Sequence, residues 1–171
     1  MKKLHSTLIA MLAVVVFAGV AHADPGTTWE KKISISRFVV LKDLDGAAVF
    51  DKETGRVWEQ SPSTDTFVWD NALPHCYTLE IGGRKGWRLP TIEELASLVD
   101  TSQSNPALPA GNPFSNVQSA GSLYSSATTD TVFSSFAWKV GFATGGVVVN
   151  GKDVANFVWC VRGGQGIDGV Q

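Results

Sequence analysis

The chain contains two cysteines, Cys76 and Cys160, and a bond between them would tie the middle of the chain to its end. On the chain-entropy model, closing a loop of about 85 residues stabilises a fold by roughly 4 to 5 kcal/mol. The alternative is a reactive thiol pair, although the two residues lack the C-x-x-C spacing that such pairs commonly have. A disulfide is the favoured interpretation for a chain that folds under oxidising conditions.

The first 23 residues have the pattern of a signal peptide, which would bring the chain to such conditions. Lys2 and Lys3 form a positive start, residues 8–21 are apolar and uncharged, and residues 21–23 read Ala-His-Ala. Signal peptidase accepts this small-x-small form. The apolar run is shorter than the roughly 20 residues that span a bilayer, and no later stretch approaches that length. We therefore expect cleavage before Asp24 and an exported protein, periplasmic or extracellular, with no stable membrane insertion.

The chain after residue 23 suits one domain with its own core. We divide it into a polar, loosely ordered segment (24–36), the domain (37–164) and a C-terminal tail (165–171). Loss of Lys2 and Lys3 leaves 12 of the 14 basic residues against 16 acidic ones. This acidic balance, without a Lys/Arg cluster, argues against a nucleic-acid partner and against an anionic membrane surface.

Short apolar runs separated by turns predict strands at both ends of the domain. Residues 38–41 form one run, and residues 47–51 and 56–59 flank a turn that ends in Gly55, which predicts a β-hairpin. Further on, Phe136, Trp138, Val140 and Phe142 alternate with other residues in the period of a half-buried strand. Residues 147–149 predict the next strand, and residues 157–162 predict the last one.

Two helices are expected between these groups of strands. Trp69, Ala72, Cys76 and Leu79 recur at helical spacing, but Pro74 predicts a kink or a late start. The second helix has a capping box, because Thr91 can accept from the N–H of Glu94 while the Glu94 carboxylate reaches back to Thr91. After it, Ile92, Leu95, Leu98 and Val99 form an apolar stripe. The order of elements indicates an α+β fold.

A long surface loop is expected from residue 101 to about residue 121, where turn residues are frequent and apolar residues are few. Loops of this length in a compact domain are usually functional or mobile. Three side chains in or near it are candidates for ligand contact: Asn112, Phe114 and Tyr124.

The sequence resembles the Lcl C-terminal domain family, a domain of unknown function named for the C-terminal domain of a bacterial collagen-like adhesin. Five motifs in order carry the resemblance over most of residues 37–164. They are Asp51-x-x-Thr54-Gly55-x-Val57-Trp58, Trp69-x-x-Ala72-x-x-x-Cys76-x-x-Leu79, Gly86-Trp87-Arg88-Leu89-Pro90-Thr91-x-x-Glu94-Leu95, Ala137-Trp138-x-Val140-x-Phe142 and Cys160-Val161-Arg162-Gly163-Gly164. The chain departs from the family pattern at residues 124–128, at Trp159 and at Pro74.

The resemblance implies a C-type-lectin-like fold with antiparallel strands, two helices and a long loop region. In that fold the N- and C-terminal strands pair, and a bridge from the first helix to the last strand matches Cys76 and Cys160. The motif residues Trp87, Arg88, Leu89, Pro90, Thr91, Glu94, Trp138 and Arg162 would have structural roles. Arg88 and Arg162 could also bind an anion, but we prefer pairing with carboxylates such as Glu94 or Asp100.

Catalytic and metal chemistry have few candidate residues. His75 is the single histidine after residue 23, and no G-x-S-x-G motif accompanies it, so a surface histidine is the simpler interpretation. The segments 43–46 and 150–153 are the candidates for calcium, but the first lacks the third acid and the terminal Glu of an EF-hand loop and is better explained as a β-turn. The Glu-Pro-Asn and Gln-Pro-Asp motifs of calcium-dependent lectins are absent. We expect no catalytic residue, no metal and no cofactor.

The sequence thus predicts a non-catalytic recognition module for a glycan or a protein of the cell envelope or extracellular surface. One alternative is a structural component of an envelope assembly. The other is an enzyme related to the formylglycine-generating proteins, which share the fold superfamily but depend on additional active-site cysteines or histidines.

Overall fold

The computed structural model describes residues 37–163. The predicted signal peptide (1–23), the segment 24–36 and the tail 165–171 lie outside the described residues. Within them, the chain forms an α+β fold, as the order of sequence patterns predicted. Neither α-helix in this range is long and apolar enough to cross a membrane.

Ten short strands and two α-helices make up the described part of the fold. The strands are β1 (Phe38–Val40), β2 (Ala48–Asp51), β3 (Arg56–Glu59), β4 (Thr66–Phe67), β5 (Trp87–Arg88), β6 (Tyr124–Thr129), β7 (Phe136–Gly141), β8 (Gly146–Gly151), β9 (Asn156–Phe157) and β10 (Val161–Arg162). The helices are α1 (Trp69–Thr78) and α2 (Ile92–Ala96). A 3₁₀ turn, Lys42–Leu44, follows β1 and includes the first two residues of the segment 43–46, which we interpreted as a turn and not a calcium loop.

The first sheet has the strand order β1-β2-β3-β10-β5, and all of its neighbours are antiparallel. The predicted hairpin is confirmed: β2 and β3 pair, and Gly55 adopts a φ of 68°, a conformation open to glycine at little cost. Val161 of β10 lies opposite Trp58 of β3. The end of the domain is therefore paired with its opening hairpin.

The second sheet has the strand order β4-β9-β6-β7-β8 and includes one parallel pair, β6 with β9. Its three long strands, β6, β7 and β8, form a meander in which β7 is central. Strand β8 lies at the edge.

The prediction of a single strand over residues 157–162 is wrong, because this segment divides into β9 and β10, which belong to different sheets. The three residues between them, Val158, Trp159 and Cys160, have no exposed surface. They cross from one sheet to the other through the core, where the N–H of Glu59 in β3 still donates to the carbonyl of Cys160 at 3.3 Å. Glu59 anchors the crossing: its carbonyl accepts from Trp159 Nε1 at 2.9 Å and its carboxyl from the N–H of Cys160 at 2.6 Å.

Helix α1 begins at Trp69, so the expected late start caused by Pro74 is wrong. Pro74 lies on the exposed side of the helix, where its ring meets solvent. Ala72 and Cys76 are fully buried, as the helical spacing predicted. Cys76 is bonded to Cys160, which confirms the disulfide.

Helix α2 has the predicted capping box, with Thr91 Oγ1 accepting from the N–H of Glu94 at 3.3 Å. The N–H of Thr91 donates to Glu94 Oε2 at 2.9 Å. The helix ends at Ala96, earlier than the apolar stripe suggested. Leu98 lies beyond the helix and is nevertheless fully buried, because the chain turns it into the core with Leu95.

Strand β7 does not bury the alternating residues in the way that its pattern predicted. Ala137 and Lys139 are fully buried, whereas Phe136 is 39% exposed and Trp138 is half-buried. The cause is that β7 is an inner strand of the sheet, and its other face is covered as well: Lys139 lies opposite Ser125, which is also buried. Only Val140 and Phe142, at the end of the strand nearest α2, enter the expected core.

The segment 101–121 contains no helix or strand but is not purely a surface loop. Ala107 and Leu108 are buried, and the N–H of Ala107 donates to the carbonyl of Phe142 at 2.7 Å. The N–H of Asn105 donates to the carbonyl of Ala143 at 3.0 Å. The first half of the segment is therefore held against the end of β7.

Candidate functional site

The Trp-Arg-Leu-Pro-Thr motif is organised around the carboxylate of Glu94. Arg88 binds it with both terminal nitrogens, at 2.7 Å and 2.6 Å, and Arg56 Nε donates to it at 2.7 Å. Burial by itself raises the pKa of Glu94, but the hydrogen bonds from Arg88, the N–H of Thr91 and Arg56 outweigh it and lower the pKa to about 2. The bond to Glu94 also raises the pKa of Arg88.

The other contacts of this motif join the two sheets to α2. Trp87 and Leu89 are buried, and the carbonyl of Pro90 accepts from the N–H of Ala127 in β6 at 2.7 Å. Arg88 additionally donates to the carbonyl of Gly163 at 3.0 Å. The cluster is thus a structural junction, and Glu94, not Asp100, is the partner of Arg88.

Two further charged residues of the sequence motifs also bond to the fold. Arg162 Nε donates to the carbonyl of Lys85 at 2.8 Å. Asp51, fully buried, is bound by Arg37 through two nitrogens at 3.0 Å and 2.8 Å, and it caps the hairpin turn through Thr54 Oγ1 at 2.9 Å. The Asp51-x-x-Thr54-Gly55 motif is explained by this turn.

The three loop residues that we singled out for ligand contact are largely occupied by the fold itself. Tyr124 is fully buried, and its hydroxyl accepts from the N–H of Gln118 at 2.7 Å. A side chain without exposed surface offers no face to a ligand, so this candidate is corrected. Phe114 is partly buried and packs against Trp159, with ring centroids 4.8 Å apart. Asn112 is partly buried and bonds to the carbonyl of Pro109 and the N–H of Phe114 within the loop.

His75 packs against the ring of Phe67, with centroids 4.3 Å apart. Burial lowers its pKa, and the nearby charge of Asp65 opposes this shift. Among residues 37–163, no group of three or more His, Cys, Asp and Glu side chains could hold a metal ion. The position of His75 therefore fits a packed aromatic residue of α1.

An open cleft lies where α1 begins, β7 begins and β8 ends, and it encloses about 650 Å³. Its walls are formed by Val68, Asp70, Ser135, Phe136, Gly151, Lys152 and Asp153. None of these residues belongs to the segment 101–121, so this cleft lies away from the loop that the sequence suggested.

Lys152 fixes the geometry of the cleft. Its carbonyl accepts from the N–H of Trp69 and its N–H donates to the carbonyl of Ser135, both at 2.9 Å. Its ammonium lies 4.0 Å from the centroid of the Trp69 ring and donates to Thr129 Oγ1 at 2.9 Å. Because these contacts join α1, β6, β7 and β8, the cleft is rigidly framed.

A buried lysine supports the floor of the cleft from behind. Lys139 is fully buried and donates to the carbonyl of Gly151 at 2.9 Å. Burial lowers its pKa, and the charge of Asp153 opposes this shift. A side chain at Gly151 would require the carboxylate of Asp153 to move aside.

Two carboxylates in the cleft are left available. Asp70 and Asp153 form no hydrogen bond or ion pair with any side chain in the part of the chain that the structure describes. Phe136, 39% exposed, forms an apolar wall beside them. The arrangement offers acceptors next to an aromatic ring.

A second, more apolar cleft of about 500 Å³ shares Phe136 with the first. Asp130 shapes it, because one of its carboxylate oxygens accepts from the N–H groups of Val132 and Phe133, at 2.9 Å and 2.7 Å. This turn leaves Val132 75% and Phe133 62% exposed. An aspartate before two apolar residues in a loop was the available signal for this surface, and sequence reasoning missed it.

These features define a class of protein: a disulfide-bridged α+β domain with a partly exposed Arg-Glu-Arg junction and a framed surface cleft. A family model, the Lcl C-terminal domain, matches residues 47–162, more than half of the chain. The protein therefore belongs to the Lcl C-terminal domain family. No curated protein matches the sequence.

Proposed function

We propose that this protein is an exported, non-catalytic recognition module that binds a glycan of the cell envelope or extracellular surface. The observation that carries the proposal is the framed cleft, in which the carboxylates of Asp70 and Asp153 lie beside the exposed ring of Phe136. Carboxylates accept hydrogen bonds from sugar hydroxyls, and an aromatic ring suits the apolar face of a pyranose. Membership of a family named for an adhesin domain agrees with this role.

A binding role is favoured over an enzymatic one by the use of the titratable residues. Glu94 is bound by two arginines, and Glu59 holds the crossing between the sheets. The two carboxyls whose pKa values are strongly shifted are therefore engaged in structural contacts. They lie away from the cleft, whereas a catalytic group would be expected to line it.

We also propose that the fold is C-type-lectin-like. The pairing of β10 with β3, the two helices and the bridge from α1 to the crossing before β10 support this assignment. An experimental structure whose strand connections differ from those of the lectin-like domains would overturn it.

The glycan proposal is tested with residues 24–171, purified with the disulfide intact, on a glycan array and then by calorimetry. We expect Phe136→Ala and Asp153→Asn each to weaken binding about tenfold or more, as losses at a binding hot spot do. Tyr77→Ala is the matched control, since Tyr77 is 78% exposed and lines neither cleft. The absence of any saturable glycan, or equal binding by Phe136→Ala and the unsubstituted protein, would contradict the proposal.

A further inference from the structure

Strand β8 is an edge strand of unusual character for this molecule. It has six residues, whereas the other edge strands of the described sheets, β1, β4 and β5, have two or three. Its sequence, Gly-Val-Val-Val-Asn-Gly, contains no charge and no proline. Natural sheets usually protect a long edge with charges, proline, a bulge or a covering segment. β8 has an uninterrupted register with β7 and none of these sequence features.

The hydrogen bonds next to β8 show which of its backbone groups point outward. Lys152 donates to Ser135 directly opposite it, which makes that pair a hydrogen-bonded one. In an antiparallel ladder such pairs alternate, so Val148 directs its N–H and carbonyl toward Lys139 of β7. Val147 and Val149 direct theirs away from the sheet.

Gly151 also directs its N–H and carbonyl outward, but both groups form hydrogen bonds within the molecule. Its carbonyl accepts from Lys139 Nζ at 2.9 Å, and its N–H donates to Asn150 Oδ1 at 2.7 Å. The outward N–H and carbonyl groups of Val147 and Val149 can therefore pair with another strand. The side chains of the three valines are 44%, 40% and 36% exposed, so both faces of the strand are apolar and accessible.

This edge is complementary to itself. In an antiparallel pair of two copies centred on Val148, the outward N–H and carbonyl of Val147 lie opposite those of Val149 from the other copy. The same contact forms between Val149 of the first copy and Val147 of the second. Each pair exchanges two hydrogen bonds, and no like charges meet along the strand. A twofold pairing of this kind closes, since the remaining edges are too short to continue it.

We infer that β8 is a self-association surface on which a second copy of this chain pairs edge to edge. The second sheet then continues across both copies. The apolar side chains of Phe133 and Phe136 lie beside the pairing strand and extend the surface. The inference rests on the backbone of β8 and holds whether or not the cleft binds a glycan, although Phe136 lies at both surfaces.

The first test measures the molar mass of residues 24–171 by light scattering over a range of concentrations. We expect a dimer for the unsubstituted protein and a monomer for Val148→Lys, because two ammonium groups would meet on the twofold axis. Val154→Lys is the matched control: Val154 is 45% exposed and lies outside the strand, so this variant remains a dimer. A monomeric unsubstituted protein, a dimeric Val148→Lys or a monomeric Val154→Lys would overturn the inference. The circular dichroism of each variant shows whether it is folded.

A second test locates the contact itself. The two Val148 residues form a pair without hydrogen bonds, in which opposite side chains come closest, so Val148→Cys should cross-link under mild oxidation. Val154→Cys should not. The native disulfide is fully buried and is not expected to exchange. A cross-link at both positions, or at neither, would indicate that the copies do not pair through β8. A peptide partner or the segment 24–36 as the occupant of the edge would appear as a monomer that fails to cross-link.

Discussion

The pKa values of two carboxyl groups, the partly buried Glu94 and the buried Glu59, are shifted in opposite directions, although burial raises the pKa of each. Glu94 is surrounded by donors, and its pKa falls to about 2. Glu59 accepts one bond from the N–H of Cys160, which lowers its pKa slightly, but burial dominates and raises the pKa to about 7. The number of donors around each group accounts for the difference.

The raised pKa of Glu59 makes the folded protein less stable as the pH rises. Because the pKa is about 7 in the folded state and 4.5 otherwise, the folded state holds the proton more tightly between these values. Stability therefore falls as the pH rises from 4.5 to 7, by about 3 kcal/mol, and stays lower above this range. Glu94 affects stability over a different pH range. Its carboxylate stabilises the folded protein above pH 4.5, and this stabilisation is lost as the pH falls toward 2.

We expect Glu59→Gln to remove the loss of stability between pH 4.5 and 7, because the amide cannot ionise. Urea unfolding of both proteins across this range measures the effect, and the variant should be the more stable one above pH 7. Glu80→Gln is the control, since the Glu80 side chain is 49% exposed and pairs only with Lys85 at the surface. Parallel pH profiles for Glu59→Gln and the unsubstituted protein would refute this assignment.

At the scale of elements, the disulfide joins α1 to the segment that crosses between the sheets. Cys76 and Cys160 are 84 positions apart in sequence and both are fully buried. The crossing segment is held to neighbouring elements by the bridge and by the hydrogen bonds that Trp159 and Cys160 form with Glu59.

Replacement of both cysteines by alanine should lower the free energy of unfolding by about 4 to 5 kcal/mol on the chain-entropy model. Denaturant unfolding of the double variant, beside the reduced unsubstituted protein, tests this expectation. The two should show similar losses, because each opens the same loop. An unchanged unfolding midpoint in both would show that the bridge does not stabilise the fold.

At the scale of the whole molecule, Trp159 connects the main parts of the core. Its ring lies 5.9 Å from that of Trp58 in the first sheet and 5.8 Å from that of Tyr124 in the second. Phe114, from the long loop, packs against it at 4.8 Å. The two sheets and the loop therefore share one packed centre.

The expected export also concerns the whole chain. We expect the protein produced in bacterial cells to lose residues 1–23 and to begin at Asp24, because Ala21 and Ala23 provide the small residues that signal peptidase requires. The intact mass of the protein from a periplasmic extract tests this cleavage. Ala23→Leu should retain the signal peptide, and a full-length mass for the unsubstituted protein would contradict the expectation.

Several features of this protein could be predicted from its sequence because they depend on neighbouring residues or admit one solution. The hairpin turn at Gly55 and the capping box of Thr91 and Glu94 are local, so their residues meet in any fold that keeps the segment. The disulfide followed from there being two cysteines, since they can pair in one way.

Other features were decided by the tertiary structure, because they depend on what distant segments place beside a residue. The alternation in β7 could not show that the face of Lys139 would also be covered, or that the carbonyl of Gly151 would accept a hydrogen bond from its ammonium. The apolar run over residues 157–162 could not show that two sheets would divide it. Tyr124 was expected at a ligand surface and lies in the core, while the open cleft is formed where α1, β7 and β8 meet. Local pattern determined which elements form, and long-range packing determined which side chains remain accessible.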